Sequence, residues 1–63
     1  MKRKDFEKQW ANITNTVKTI ILYNEAQFYA DAYFFSIDGL YIVLELRELE
    51  IGTVNLKSIM RVY

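Results

Sequence analysis

The sequence predicts an α+β domain that is mainly β: a short amino-terminal helix, then a five-stranded antiparallel meander that closes as a small, strongly bent barrel. Three observations carry that expectation. Phe6, Trp10 and Ile13 recur at i, i+4 and i+7, the period of one helix face. From Thr16 onward the chain turns to β-branched and aromatic residues, and no Pro occurs anywhere to bar a position from a ladder. Asp38-Gly39 stands between the apolar runs Tyr33–Ile37 and Leu40–Leu44, and Asp-Gly in that setting is among the strongest short-range hairpin signals.

The elements follow in chain order. Residues 4–14 read as the helix, with Asp5 and Glu7 near the start, where negative charge suits the helix dipole. Asn12, Thr14, Asn15 and Thr16 are weak helix formers and mark its exit. About three turns do not hold alone in water, so the Phe6-Trp10-Ile13 stripe must dock on a sheet. Val17–Tyr23 reads as the first strand and Asn24-Glu25 as a turn; Phe28–Ile37 is the second strand and Leu40–Leu46 the third. Arg47-Glu48 is a tight turn, although neither residue favours positive φ. Leu49–Val54 is the fourth strand, Asn55-Leu56-Lys57 a short turn with one 3₁₀ step, and Ser58–Tyr63 the fifth strand. A helical turn over Glu45–Ile51 is the alternative to the strand reading there, because Leu46 and Leu49 are three apart.

A two-residue type I′ turn at Asp38-Gly39 pairs Ile37 with Leu40, Phe35 with Ile42 and Tyr33 with Leu44. A turn at Arg47-Glu48 then pairs Leu46 with Leu49, Leu44 with Ile51 and Ile42 with Thr53. Both turns give one continuous apolar face, so the local signals agree with the global one. The opposite face carries Phe34, Tyr41 and Val43 among Ser36, Glu45 and Arg47. Its aromatic end needs cover, from the amino helix or from a neighbouring subunit.

Composition bounds what such a domain does. Residues 1–63 form a single domain. A chain this short buries only about 60% of its unfolded surface, and small domains compensate with disulfides, metals or assembly. It has no Cys and no His, which excludes disulfides, zinc fingers and most transition-metal sites; no cofactor is expected. Assembly or very good packing remains. At 52% hydrophobic and 16% aromatic residues, one small core cannot absorb all the apolar surface, which implies a partner. Eight basic and eight acidic residues cancel, so the whole-chain charge draws neither nucleic acid nor membrane. No apolar run approaches the ~20 residues of a membrane span, and no signal peptide is legible, so the cytoplasm is the expected location. Without His, Cys or a glycine-rich phosphate loop, and without room for a pocket that would tune a carboxylate, an enzyme is not expected.

An amino helix followed by five strands in about sixty residues resembles the Sm-like fold, its bacterial Hfq branch in particular, over residues 5–63. Val17–Asn24 is similar to that family's first strand, with Glu25 where the family has glycine. Ser36-Ile37-Asp38-Gly39-Leu40-Tyr41-Ile42-Val43-Leu44 resembles the Asp-containing turn and following apolar run. Asn55-Leu56-Lys57-Ser58-Ile59 is similar in spacing to the last loop, with Lys57-Ser58 near the family's Lys-His pair; the histidine is absent, Ala30 or a neighbour stands at a strand-two glycine, and two residues are inserted before Asp38. The resemblance implies a homo-oligomeric ring joined through strands four and five, the location of Val54, Met60 and Val62. It also implies binding of single-stranded, uridine- or adenosine-rich RNA, with Gly39, Leu40, Tyr41, Asn55 and Lys57 at the nucleic-acid surface.

Each candidate has a plainer reading. Tyr23, Tyr29, Tyr33, Tyr41 and Tyr63 suit base stacking but more commonly serve as half-buried strand residues. Lys2, Arg3, Lys4 and Lys8 suit phosphate, or form a solvated, frayed end. Glu45, Glu48 and Glu50 read as solvated strand-edge acids, since no Asp/Asn-rich loop accompanies them to hold a cation. Asp31 falls on the apolar face by register, which marks a bulge, an ion pair or a solvent-side edge. Asn12-Ile13-Thr14 matches a glycosylation acceptor by chance. The second functional class is a small protein–protein interaction module, such as a phage- or plasmid-type effector acting on a host protein, with Phe34, Tyr41 and Val43 in its interface. Aromatic surface without net charge suits that class.

Overall fold

Helix α1 spans Arg3–Ala11 in the computed structural model, which describes residues 1–63. Its first turn is closed by the Phe6 N–H donating to the Lys2 carbonyl (3.0 Å), and it stops at Asn12, whose N–H reaches back to Lys8 (3.2 Å). Asp5 in the first turn and Lys8 in the last both suit the dipole. The apolar stripe docks as its spacing requires: Phe6 is fully buried, with Trp10 and Ile13 packed against the same core. The amino end is therefore held rather than frayed.

Six strands follow: β1 (Lys18–Leu22), β2 (Gln27–Ala30), β3 (Ala32–Phe35), β4 (Tyr41–Leu46), β5 (Leu49–Asn55) and, after a 3₁₀ turn over Leu56–Ser58, β6 (Ile59–Val62). All pairings are antiparallel, and they build two three-stranded sheets, β2-β1-β6 and β3-β4-β5. This corrects the expected five-stranded meander. The long second strand divides at Asp31, and no ladder joins β5 to β6 to close a barrel. Asp31 is captured by the neighbouring hairpin: its N–H donates to the Glu45 carbonyl (2.9 Å), and its carboxylate accepts the Arg47 N–H (3.0 Å). With both groups turned toward the second sheet, the chain leaves one sheet and enters the other at a single residue.

Two expected pairs of the central hairpin are present, Phe35 with Ile42 and Tyr33 with Leu44. Its turn differs from expectation. The Gly39 N–H donates to the Ser36 carbonyl (2.9 Å), so Ile37 and Asp38 form the corner and only Gly39 takes positive φ (+73°). The Asp38 carboxylate explains the choice, because it accepts from the Ser36 hydroxyl and from the Leu40 N–H (3.0 Å), an Asx-type closure that competes with the two-residue turn. Ile37 is thereby turned out into solvent and does not face Leu40 on the core wall.

The Arg47-Glu48 turn does pair Leu46 with Leu49, and both its residues take positive φ (+53° and +69°). The register then slips between Leu44 and Glu45, so that Leu44 pairs with Gly52 and Ile42 with Val54. Ile51 is the surplus residue of a β-bulge and faces outward, whereas it was expected opposite Leu44. Val54 takes the core position expected of Thr53. Gly52 makes room for a close approach: a Cβ at this position would lie 3.2 Å from Cε1 of Phe28, which would have to give by a few tenths of an ångström.

The core lies between the sheets and under α1. Phe6, Ile20, Ile42, Leu44 and Ile59 are its largest fully buried side chains, and Leu22, Ala30, Val54, Leu56 and Val62 complete it. Burying each large side chain is worth about 1.5–3 kcal/mol. Tyr33 meets Phe6 and Trp10 edge-on, at 4.9 and 4.7 Å between ring centroids, which fixes the helix on the inner side of β3. The outer face of β3-β4-β5 is consequently left without the helical cover that the sequence allowed for.

Candidate nucleic-acid interface

Three separate segments converge at the amino end of α1. The Leu56 N–H donates to the Leu40 carbonyl (3.0 Å), which ties the end of β5 to the 38–40 turn. The backbone nitrogen of Met1 donates to the Leu56 carbonyl (2.7 Å) and brings the start of the helix alongside. Asn55 caps the 3₁₀ turn, its side-chain oxygen accepting the Lys57 N–H (2.9 Å). Between these segments lies a cleft of about 570 Å³ lined by Met1, Lys2, Arg3, Asp5, Gly39, Leu40, Asn55, Leu56 and Lys57.

Four of the five residues expected at a nucleic-acid surface, Gly39, Leu40, Asn55 and Lys57, share this cleft. Tyr41 lies apart from it, on the outer face of β4. Lys2 and Arg3 join the four from the far end of the chain, more than fifty residues from Asn55 and Lys57. No local pattern announces that juxtaposition; the only hint is the basic run itself. The cleft's side chains carry three positive groups, Lys2, Arg3 and Lys57, against the one acid Asp5. Arg3 is partly engaged, its guanidinium lying 4.2 Å over the Phe35 ring and 3.7 Å from a Glu7 oxygen, the only ion pair of the chain. Lys2 and Lys57 pair with no acid. Beside the cleft, the hydroxyl of Ser36 and the N–H of Leu40 hold the Asp38 carboxyl below the usual carboxylate range, so it remains anionic and locked into its turn.

The tyrosines divide. Tyr33 is packed among Phe6, Trp10 and Phe35; desolvation, with the charge of Glu7 adding to it, raises its phenol above the ordinary value. Its ring is already engaged by three aromatic neighbours of the core. Tyr23, Tyr29 and Tyr63 are exposed, and Arg61 lies 4.6 Å over the ring of Tyr63.

The residues expected at a protein interface also divide. Phe34 pairs across with Val43 on the outer face of β3-β4-β5. Tyr41 is two residues from Val43 along β4 and so shares that face, and Phe34 and Tyr41 are 49% and 40% exposed. Met60 is exposed on β6, but the Val54 and Val62 side chains are buried in the core, so only their backbone can meet another chain. A second cleft of about 470 Å³ runs between α1 and β6, with Asp5, Lys8, Gln9, Asn12, Tyr23 and Met60 along its walls. No helix is long and apolar enough to cross a membrane. Comparison with protein-family models, with curated proteins and with solved structures finds no match for this chain.

Proposed function

We propose that this chain is a non-enzymatic, Sm-like module of the cytoplasm that assembles with copies of itself and binds single-stranded RNA in the cleft at the amino end of α1. The observation that carries the reading is the convergence of Lys2, Arg3 and Lys57 with Gly39, Leu40 and Asn55 around one opening. Two unpaired lysines supply phosphate contacts, and the exposed Leu40 gives a base an apolar surface to lie on. Strand order supports the Sm-like part. If the break at Asp31 is counted as a bend within one strand, the order is β6-β1-β2/β3-β4-β5, an open barrel with β5 and β6 at its two ends. Charge supports assembly through those ends: Glu48 precedes β5 and Glu50 lies within it, while Lys57 precedes β6 and Arg61 lies within it.

The test is fluorescence anisotropy with labelled oligo-U and oligo-A over a salt series. Binding should weaken steeply with salt, and Lys57→Ala or Lys2→Ala should each lower the slope of log affinity against log salt by about 1. Absence of salt-sensitive binding at micromolar protein overturns the reading. The Phe34-Val43-Tyr41 face favours a second one, a protein-interaction module of the phage- or plasmid-effector type that docks on a host protein through this uncovered aromatic patch. Phe34→Ser should then abolish capture of a stoichiometric partner while leaving the fold intact.

A further inference from the structure

The edge of β6 is occupied, and by a side chain. Thr19 and Tyr63 exchange backbone hydrogen bonds (2.6 and 2.8 Å) between β1 and β6. Val62, the next residue along, faces Ile20 at a position where an antiparallel ladder makes no bond, so its N–H points away from β1, toward the place a further strand would take. That N–H donates to the side-chain oxygen of Gln9 (2.9 Å) on α1, in a partly buried setting. The helix thus fills one rung of the open edge, and the second cleft runs alongside it. The opposite edge has no such cover: Leu56 bonds to β4, so by alternation the backbone groups of Thr53 on β5 point outward.

We infer that Gln9 is a competitive cap on the β6 edge, and that a strand from a second copy can add to this edge only when Gln9 releases the Val62 N–H. The inference rests on the reading of β6 as an assembly edge. It makes α1 a brake on self-association: an exposed edge is a template for uncontrolled pairing, and a side chain that satisfies its donor restrains that pairing until a specific strand displaces it. A Gln side chain suits the task. Its amide oxygen makes one neutral hydrogen bond, enough to cap the donor and weak enough to be exchanged for a strand's carbonyl.

Two variants of the full chain move the balance in opposite directions. Gln9→Ala removes the competitor and should lower the concentration for half-assembly, read by sedimentation velocity, by roughly 2- to 10-fold. Gln9→Glu offers a charge-assisted acceptor and should raise it. In dilute, monomeric protein, amide hydrogen exchange at Val62 should accelerate in Gln9→Ala relative to Ile20 and Ile59. Unchanged Val62 exchange, or weaker assembly of Gln9→Ala with native circular dichroism, overturns the inference. If the parent chain and Gln9→Ala both stay monomeric at every concentration, the cap falls together with the assembly edge. Salt-sensitive oligo-U binding by that monomer would still support the cleft as an RNA site.

Discussion

The two hairpin turns of the second sheet reverse their sequence signals. Asp38-Gly39 has the composition of a two-residue type I′ turn and does not form one. Arg47-Glu48 has no such composition, yet both its residues sit in the left-handed region. The difference lies in what surrounds each turn. At the first, the Ser36 hydroxyl donates to the Asp38 carboxylate and accepts the Tyr41 N–H, while that carboxylate also accepts the Leu40 N–H, so a local network selects a wider loop. At the second, Leu46 and Leu49 must pair across a two-residue gap, and Asp31 holds the Arg47 N–H from a distant part of the chain. Left-handed backbone costs a non-glycine residue about 1–2 kcal/mol; the second turn persists because its partners outweigh that cost.

The largest expected effect tests what the two turns share. Leu44 is fully buried on β4, the strand between them, so Leu44→Ala should destabilise the fold by about 2–5 kcal/mol and loosen both hairpins, read by chemical denaturation. Next, Asp31→Ala removes the acceptor for Arg47 alone. It should cost about 1 kcal/mol, lowering the melting temperature by roughly 4–8 °C, with amide exchange rising at residues 46–49 while the 36–41 turn is unchanged. Equal loosening of both turns would erase the contrast. Glu48→Gly goes the other way, relieving a strained φ for a gain of about 0.5 kcal/mol, the smaller because glycine also frees the unfolded chain.

The smallest effect concerns Asp38, which is fully exposed. Its carboxyl titrates below the usual range because the Ser36 hydroxyl and the Leu40 N–H favour the charged form. The stability it contributes is therefore complete above the ordinary carboxylate range and is lost as pH falls through its depressed value. Asp38→Asn should remove this portion of the acid sensitivity, seen as a flatter stability profile in acid than that of the parent chain.

Much of this architecture was legible from periodicity and composition. The helix stripe, the cores of β1, β4 and β5 and the pairs Phe35–Ile42 and Leu46–Leu49 all follow from local pattern, whereas the turn expected at Asn24-Glu25 lies one residue earlier, at Tyr23-Asn24, closed by the Glu25 N–H on the Leu22 carbonyl (3.0 Å). The division at Asp31 did not, because no glycine or proline marks it. A charged residue on an apolar face was the only trace, and its explanation is a carboxylate reaching sixteen residues along the chain. The slip at Ile51 was hidden for a similar reason: Leu49, Ile51 and Thr53 alternate as a regular strand would, and only the fit of Val54 into the core selects the shifted pairing. Of the candidate RNA cleft, the loop residues came from resemblance. Lys2 and Arg3 stood out only as part of a basic run suited to phosphate; their meeting with the loop residues was out of reach, since it depends on where the helix docks.

The extra residue at Ile51 has a consequence for lineage. It lies outside an otherwise regular ladder, with Glu45 facing Glu50 on one side and Leu44 facing Gly52 on the other, so removing it would join two stretches that are already in step. Chains descended from a common ancestor with this one can therefore differ by a single codon here and still superpose on every rung, and an alignment that forbids a gap at this point would misplace half of the strand.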